Sequence, residues 1–196
     1  MADYNIEANI NYGNLKNVIK AMSKEYSVKV GLLANKGGAD EVSKDMDVAG
    51  LGALQEFGCD IKITQKMAAY LHLKAEELGL PKLEKQGDGY IHIPARSWLQ
   101  MPLERRQALK KKIISKYGDY KEVVEDDIAQ TGDLYGLALM VGASAVELIQ
   151  EAFDTDGYGQ WAANSPYTIA SKGSEKPLVD KGKLRGAITF EVGKNG

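Results

Sequence analysis

The stretch LYGLALMVGASAVELIQEAF, residues 134–153, decides the fold class. Leu134, Leu137, Ala138, Val141, Ala145, Leu148, Ile149 and Ala152 recur every three or four residues and fall on one stripe of a helix. Such a stripe must be buried, against a sheet of the same chain or against a neighbouring subunit. Its most apolar part, residues 134–146, is shorter than the roughly 20 residues a bilayer span needs and is rich in Gly, Ala and Ser, so no membrane partner is expected. Helical character extends back to residue 120, with Gly132 as the expected interruption.

Downstream, residues 154–180 read as a long irregular loop of the kind that is uncommon without a role. A turn or short helix over residues 180–185 follows. Ile188, Phe190 and Val192 then alternate with Ala187, Thr189 and Glu191, which is the period of a strand. Upstream, Leu15, Val18, Ile19 and Met22 predict a helix over residues 14–25, and Val28, Val30 and Leu32 a strand over 27–33. Residues 34–44, with Gly37-Gly38, read as an exposed mobile loop. A short helix over 47–58 places Val48, Leu51, Leu54 and Phe57 on its apolar stripe and stops at Gly58 in a left-handed cap. A short strand at 61–63 precedes a helix over 65–78, capped by Thr64 and stopped by Gly79 and Pro81. After a charged loop at 82–89, a strand over 90–93 ends at Pro94. Ser97 caps a helix running to residue 117, with Pro102 near its start. The class is therefore α+β: a small, mainly antiparallel sheet from the strands near 28, 90 and 188, packed against several helices. One domain spans residues 1–196 with long loops, and 64–89 reads as a helical insertion.

The chemistry-bearing residues are sparse. Net charge is −2, which gives no global basic field for nucleic acid. Cys59 is the sole cysteine, so no internal disulfide can form, and the N-terminal MADYNIEANINYG lacks the basic and apolar regions of a signal peptide. His72 and His92 are far apart in sequence and read as structural. Zinc, Walker A and nucleophile-elbow spacings are missing, and Gly31 with Gly37-Gly38 has the wrong spacing to cradle phosphate. Asp154 and Asp156 before Gly157 lack the further oxygen ligands of a calcium loop. Glu125, Asp126 and Asp127 are adjacent and so point in different directions from a helix. Arg105, Arg106, Lys110, Lys111, Lys112 and Lys116 also spread around their helix. With the acidic residues 119–127 following, they read as pairing between packed helices or between subunits, and as a duplex-binding face in the alternative. No catalysis, cofactor or metal is expected.

Several short segments are not explained by periodicity: Val30-Gly31-Leu32, Gln55-Glu56-Phe57-Gly58, Ile93-Pro94-Ala95-Arg96, and Trp161 onward to Pro177-Leu178-Val179-Asp180-Lys181-Gly182-Lys183-Leu184. In this order and approximate spacing they resemble the tail-completion (virion morphogenesis) family of long-tailed bacteriophages, over residues 28–192. Gln55 stands where that family has His, Ser97-Trp98 where it has Pro-Phe, and Lys181 where it has Thr. The resemblance implies a structural protein of the virion neck, assembled in the host cytoplasm. It would complete the head-proximal end of the tail and join it to the head connector. Its partners would be copies of itself, in a ring of six matching a six-fold tail, together with tail-tube and connector proteins. The basic helix leaves contact with passing DNA open. The rivals are a head-closure or tail-terminator protein, or a DNA-binding module on residues 105–116.

For such a role the interface candidates are Arg96, Trp98, Tyr158, Trp161 and Tyr167. Arg96 offers a planar fork suited to a carboxylate of its own or an adjacent subunit. Trp98 suits the core or an interface, and the rings on the 154–177 loop suit contact with neighbours, as does the 34–44 loop. Phe57, Gly58, Pro94, Gly182 and Leu184 are the turn and motif positions. Pro94 makes the strand exit sharply, and Gly182 allows the turn before Leu184.

Overall fold

The computed structural model describes residue 16, residues 18–21, residues 23–81 and residues 89–195. The helix expected over 14–25 lies partly outside these. Residues 16 and 18–21 are helical, and the chain is already extended at Glu25, where strand β1 (Glu25–Leu32) begins.

The other strands are β2 (Glu41–Ser43), β3 (Met46–Asp47), β4 (Cys59–Lys62), β5 (Tyr90–Ile93) and β6 (Ile188–Asn195). The helices are α1 (Val48–Phe57), α2 (Gln65–Glu77), α3 (Gln100–Glu104), α4 (Arg106–Tyr117), α5 (Tyr120–Thr131), α6 (Tyr135–Asp154), α7 (Pro166–Lys172) and α8 (Lys183–Gly186). The class is α+β, with small antiparallel sheets among helices.

The single sheet expected from strands near 28, 90 and 188 does not form. β1 pairs with β6 from Glu25↔Asn195 to Leu32↔Ile188, whereas β5 pairs with β4 in a separate ribbon from Cys59↔Ile93 to Lys62↔Tyr90. β2 and β3 form a third, irregular pair. Thus the 34–44 segment is partly ordered: Ala34–Lys36 is a 3-10 turn, Val42 packs on the core, and Val48 and Ala49 donate back to the Asp40 and Gly38 carbonyls.

Helix α6 is the centre. It runs to Asp154, longer than the apolar part of its sequence suggests, and by length and composition alone it could cross a membrane. Here its stripe is covered by the β1–β6 ribbon and by α3, α4 and α5. Ala138, Ala145, Leu148, Ile149 and Ala152 are buried as expected, and Gly142, Ser144 and Phe153 widen the buried face. Gly142 is required by close approach, since a Cβ there would lie 2.2 Å from the Phe190 ring of β6. The break at Gly132 is present, and Asp127 of α5 caps the restart by accepting the Leu137 N–H at 2.8 Å.

Two further boundaries differ from expectation. The helix expected over 97–117 is split at Arg105, whose ψ of 58° is not helical. Its guanidinium lies 3.7 Å from the centre of the Tyr158 ring. The irregular 154–180 segment contains α7, where Ser165 accepts the Thr168 N–H and Pro166 begins the helix, a combination that favours a helix start. Before it, Asp156, Gly157, Tyr158 and Gly159 all have positive φ, between 50° and 75°.

Candidate functional site

The signature segments converge on the core. Val48, Trp98, Ile149, Ala152, Phe153, Trp161, Leu184 and Ile188 form one buried cluster. Phe153 sits between the two indoles, with ring centres 6.2 Å from Trp98 and 5.4 Å from Trp161, the latter edge-on. Both indole N–H groups are satisfied: Trp98 donates to the Gly52 carbonyl at 2.8 Å and Trp161 to the Ser97 carbonyl at 3.1 Å. Buried aromatics of this kind need such partners for their polar edge.

The face of α1 that turns inward is Val48, Gly52 and Glu56, not the expected stripe through Phe57. Phe57 is 74% exposed. Gly52 lets α1 approach, because a Cβ there would meet Leu32 at 2.4 Å and Trp98 at 3.0 Å. That places the Glu56 carboxylate against the start of α3. One oxygen accepts the Ser97 hydroxyl at 2.6 Å and the Gln100 N–H at 3.1 Å. The other accepts the Trp98 and Leu99 N–H groups, both at 2.8 Å. Ser97 in turn accepts the Met101 N–H at 2.9 Å. A buried carboxylate is tolerated when its lone pairs are met by donors and it faces amides that a helix leaves unpaired.

Arg96 does not meet a carboxylate. Its Nε donates to the Ala162 carbonyl at 2.8 Å and its Nη2 to the Ala163 carbonyl at 3.0 Å, while its backbone N–H donates to the Gln55 carbonyl at 2.8 Å. Burial pushes the guanidinium pKa below its ordinary value. The fork thus ties the segment after Trp161 to the end of α1. Replacing Arg96 with Lys should cost about 2–3 kcal/mol, because a single ammonium cannot reproduce the fork at a position that is only 6% exposed. Urea unfolding measures the loss, and a loss below about 0.5 kcal/mol would contradict the clamp.

Arg96, Trp98 and Trp161 are interior groups within the chain, at 6%, 2% and 9% exposure: Trp98 takes the core place of the two open to it, while Arg96 and Trp161 are not presented to neighbours, contrary to expectation. Tyr158 is half-buried, with its hydroxyl donating to the Leu148 carbonyl at 3.1 Å and its ring under Arg105. Burial raises its pKa. Tyr167 is half-buried on α7. Gly182 has φ 75° and leads into α8, whose Leu184 is in the core cluster. Gly58 has φ 70° and ψ 173°, an extended glycine conformation and not the left-handed cap expected for it. Ile93 ends β5 and Pro94 turns the chain toward Arg96.

Beside this cluster lies a cleft of about 990 Å³. Its outer wall is the β4–β5 ribbon with Ile61, Ile91 and Ile93, together with Ala68, Leu71 and His72 of α2, the region read as an insertion. Residues 82–88 of that region lie outside the described residues. The inner wall is Leu51 and Gln55 of α1, Tyr167 and Lys172 of α7, and the 178–184 signature. Burial lowers the Lys172 pKa, opposed by Asp180, and its ammonium donates to the Lys176 and Val179 carbonyls. On the ribbon's outer face His92 contacts Asp60 at 2.6 Å, both exposed. Among the described residues no group of three or more His, Cys, Asp or Glu side chains is placed to hold a metal.

The basic run divides. Lys112 pairs with Glu151 of α6 at 3.1 Å and Lys116 pairs with Glu147, which are contacts between packed helices. The sequence missed Glu56, since a glutamate in the last turn of a helix reads as solvated. No protein-family model, curated protein or solved structure matches this chain.

Proposed function

We propose that the chain is a non-catalytic assembly subunit of a phage particle, positioned at the head-proximal end of the tail. Copies of it form a ring that completes the tail and joins it to the head connector, around the path of the DNA. The observation that supports this reading is the meeting of residues 55–58, 93–99 and 161–184 in one cluster, tied together by Glu56 and Arg96. Segments that resemble one family in order and spacing also act here as one structural unit. The charged groups at the centre of that unit face backbone atoms of the chain itself, which suits a scaffold.

Disrupting the gene in the particle that encodes it tests the proposal. Heads and tails of normal length should accumulate unjoined in electron micrographs, and the purified protein should restore joining. Tails of uncontrolled length would assign it instead as a terminator, and heads that lose their DNA as a head-closure protein. Complete particles without it would overturn all three.

A further inference from the structure

Helix α4 carries two different basic faces. On the inner one Lys112 and Lys116 are paired with α6 and Ile113 is buried. On the outer one Arg106, Lys110 and Lys111 are exposed and make no ion pair among the described residues. Ile114, four residues beyond Lys110, is 38% exposed and lies next to them. Helix α5 is the counterpart in sign. Val123 and Asp127 are buried, while Glu122, Glu125 and Asp126 are exposed at three- and four-residue spacing, on one face. Lys121 reaches Glu125 only at 3.7 Å, with both side chains largely in solvent.

The outer face of α4 is therefore basic throughout, and that of α5 is acidic apart from Lys121 at its edge beside Glu125. Arg106 with Lys110 and Glu122 with Asp126 are like charges four residues apart on a helix, an arrangement that destabilises the helix carrying it. α4 and α5 are consecutive and pack against each other, yet these two sets do not pair. A surface that could satisfy α4 must be acidic and one that could satisfy α5 must be basic, with three charges on each side. A second copy of this chain offers both. Duplex DNA could serve α4 alone, and the acidic face of the next helix would repel its phosphates.

We infer that copies of this chain associate head to tail, the basic outer face of α4 on one copy docking on the acidic outer face of α5 on the next. This rests on the ring reading, since a contact between two different faces repeats around a ring if the rotation closes. Complementary charge of this kind sets register and accelerates encounter, with Ile114 as the apolar contact within the patch.

Sedimentation of the full-length protein tests it, with circular dichroism to monitor folding. The wild-type oligomer should dissociate as salt rises from roughly 0.05 to 0.5 M, where the screening length drops several-fold. The Arg106→Glu, Lys110→Glu, Lys111→Glu triple variant should lose the oligomer, and so should the Glu122→Lys, Glu125→Lys, Asp126→Lys variant. An equimolar mixture of the two should recover it, because every junction in an alternating assembly is then complementary. If a reversed variant misfolds, the glutamine versions of the same positions should show partial loss in the same direction. Oligomers that persist in both variants would overturn this contact while leaving the ring standing. A wild type that stays monomeric at every salt and protein concentration would overturn both. An α4 variant that assembles normally but loses affinity for a DNA duplex would reassign that face to nucleic acid.

Discussion

Glu56→Ala should destabilise the fold by about 3–5 kcal/mol. The substitution removes a group that receives the Ser97 hydroxyl and three consecutive backbone N–H groups, in a place only 7% exposed. An alanine supplies no acceptor, and the site is too enclosed for water to replace all four. Trp98 is positioned by one of those bonds, so the loss should also reach the aromatic cluster. Thermal unfolding should fall by about 10 °C, at the few degrees per kcal/mol expected for a chain of this size. Glu56→Gln should be intermediate: it keeps one carbonyl oxygen, but its amide N–H₂ must face other N–H groups. A loss below about 1 kcal/mol in the alanine variant would mean that the start of α3 finds other partners.

Gly58→Ala should be about as severe, for a different reason. The backbone there, at φ 70° and ψ 173°, is open essentially to glycine alone. A Cβ would sit 2.6 Å from the Ile93 carbonyl oxygen and 2.7 Å from the Ala95 nitrogen. Both obstacles are main chain, in the turn that Pro94 and Arg96 fix, so neither can rotate away. A loss of about 3 kcal/mol or more is expected, from the conformational penalty and the overlap together. Equilibrium unfolding of the purified variant measures it. Gly79→Ala is the control: that residue also has positive φ, but nothing lies within 4 Å of the place an added methyl would occupy, so only the conformational part should remain. Equal losses at the two positions would show that crowding at Gly58 contributes nothing.

Local order was legible in the sequence wherever one period or one stop residue governs it. The stripe of α6, the alternation of β6, the Thr64 cap and the break at Gly132 all follow from short-range rules. Strand pairing was not, because β5 has two possible mates by composition, and only the tight turn at Gly58 brings β4 beside it. Helix α1 misled for a related reason. Its apolar residues suggested a face through Phe57, whereas the packing is set by the small Gly52, which admits Trp98 and turns Glu56 inward. A charged residue acting as a remote cap leaves no local signature. Arg96 was singled out correctly as a fork of donors, but its partners are main-chain carbonyls, which no side-chain pattern reports. The start of α7 could have been read from Ser165-Pro166; the neighbouring glycines and prolines masked it.

The pairing of β1 with β6 has a consequence for biosynthesis. β1 is made early, and the strand that completes it is the last described element to leave the ribosome. Until then Gly142 faces no Phe190, Ile188 is missing from the core, and the apolar side of α6 stands open on the nascent chain. Closing so long a loop is slow, and the exposed helix is the kind of surface that holdase chaperones recognise. Native structure is therefore reached after translation has passed β6, and a ribosome stalled before residue 188 carries a chain still sensitive to protease.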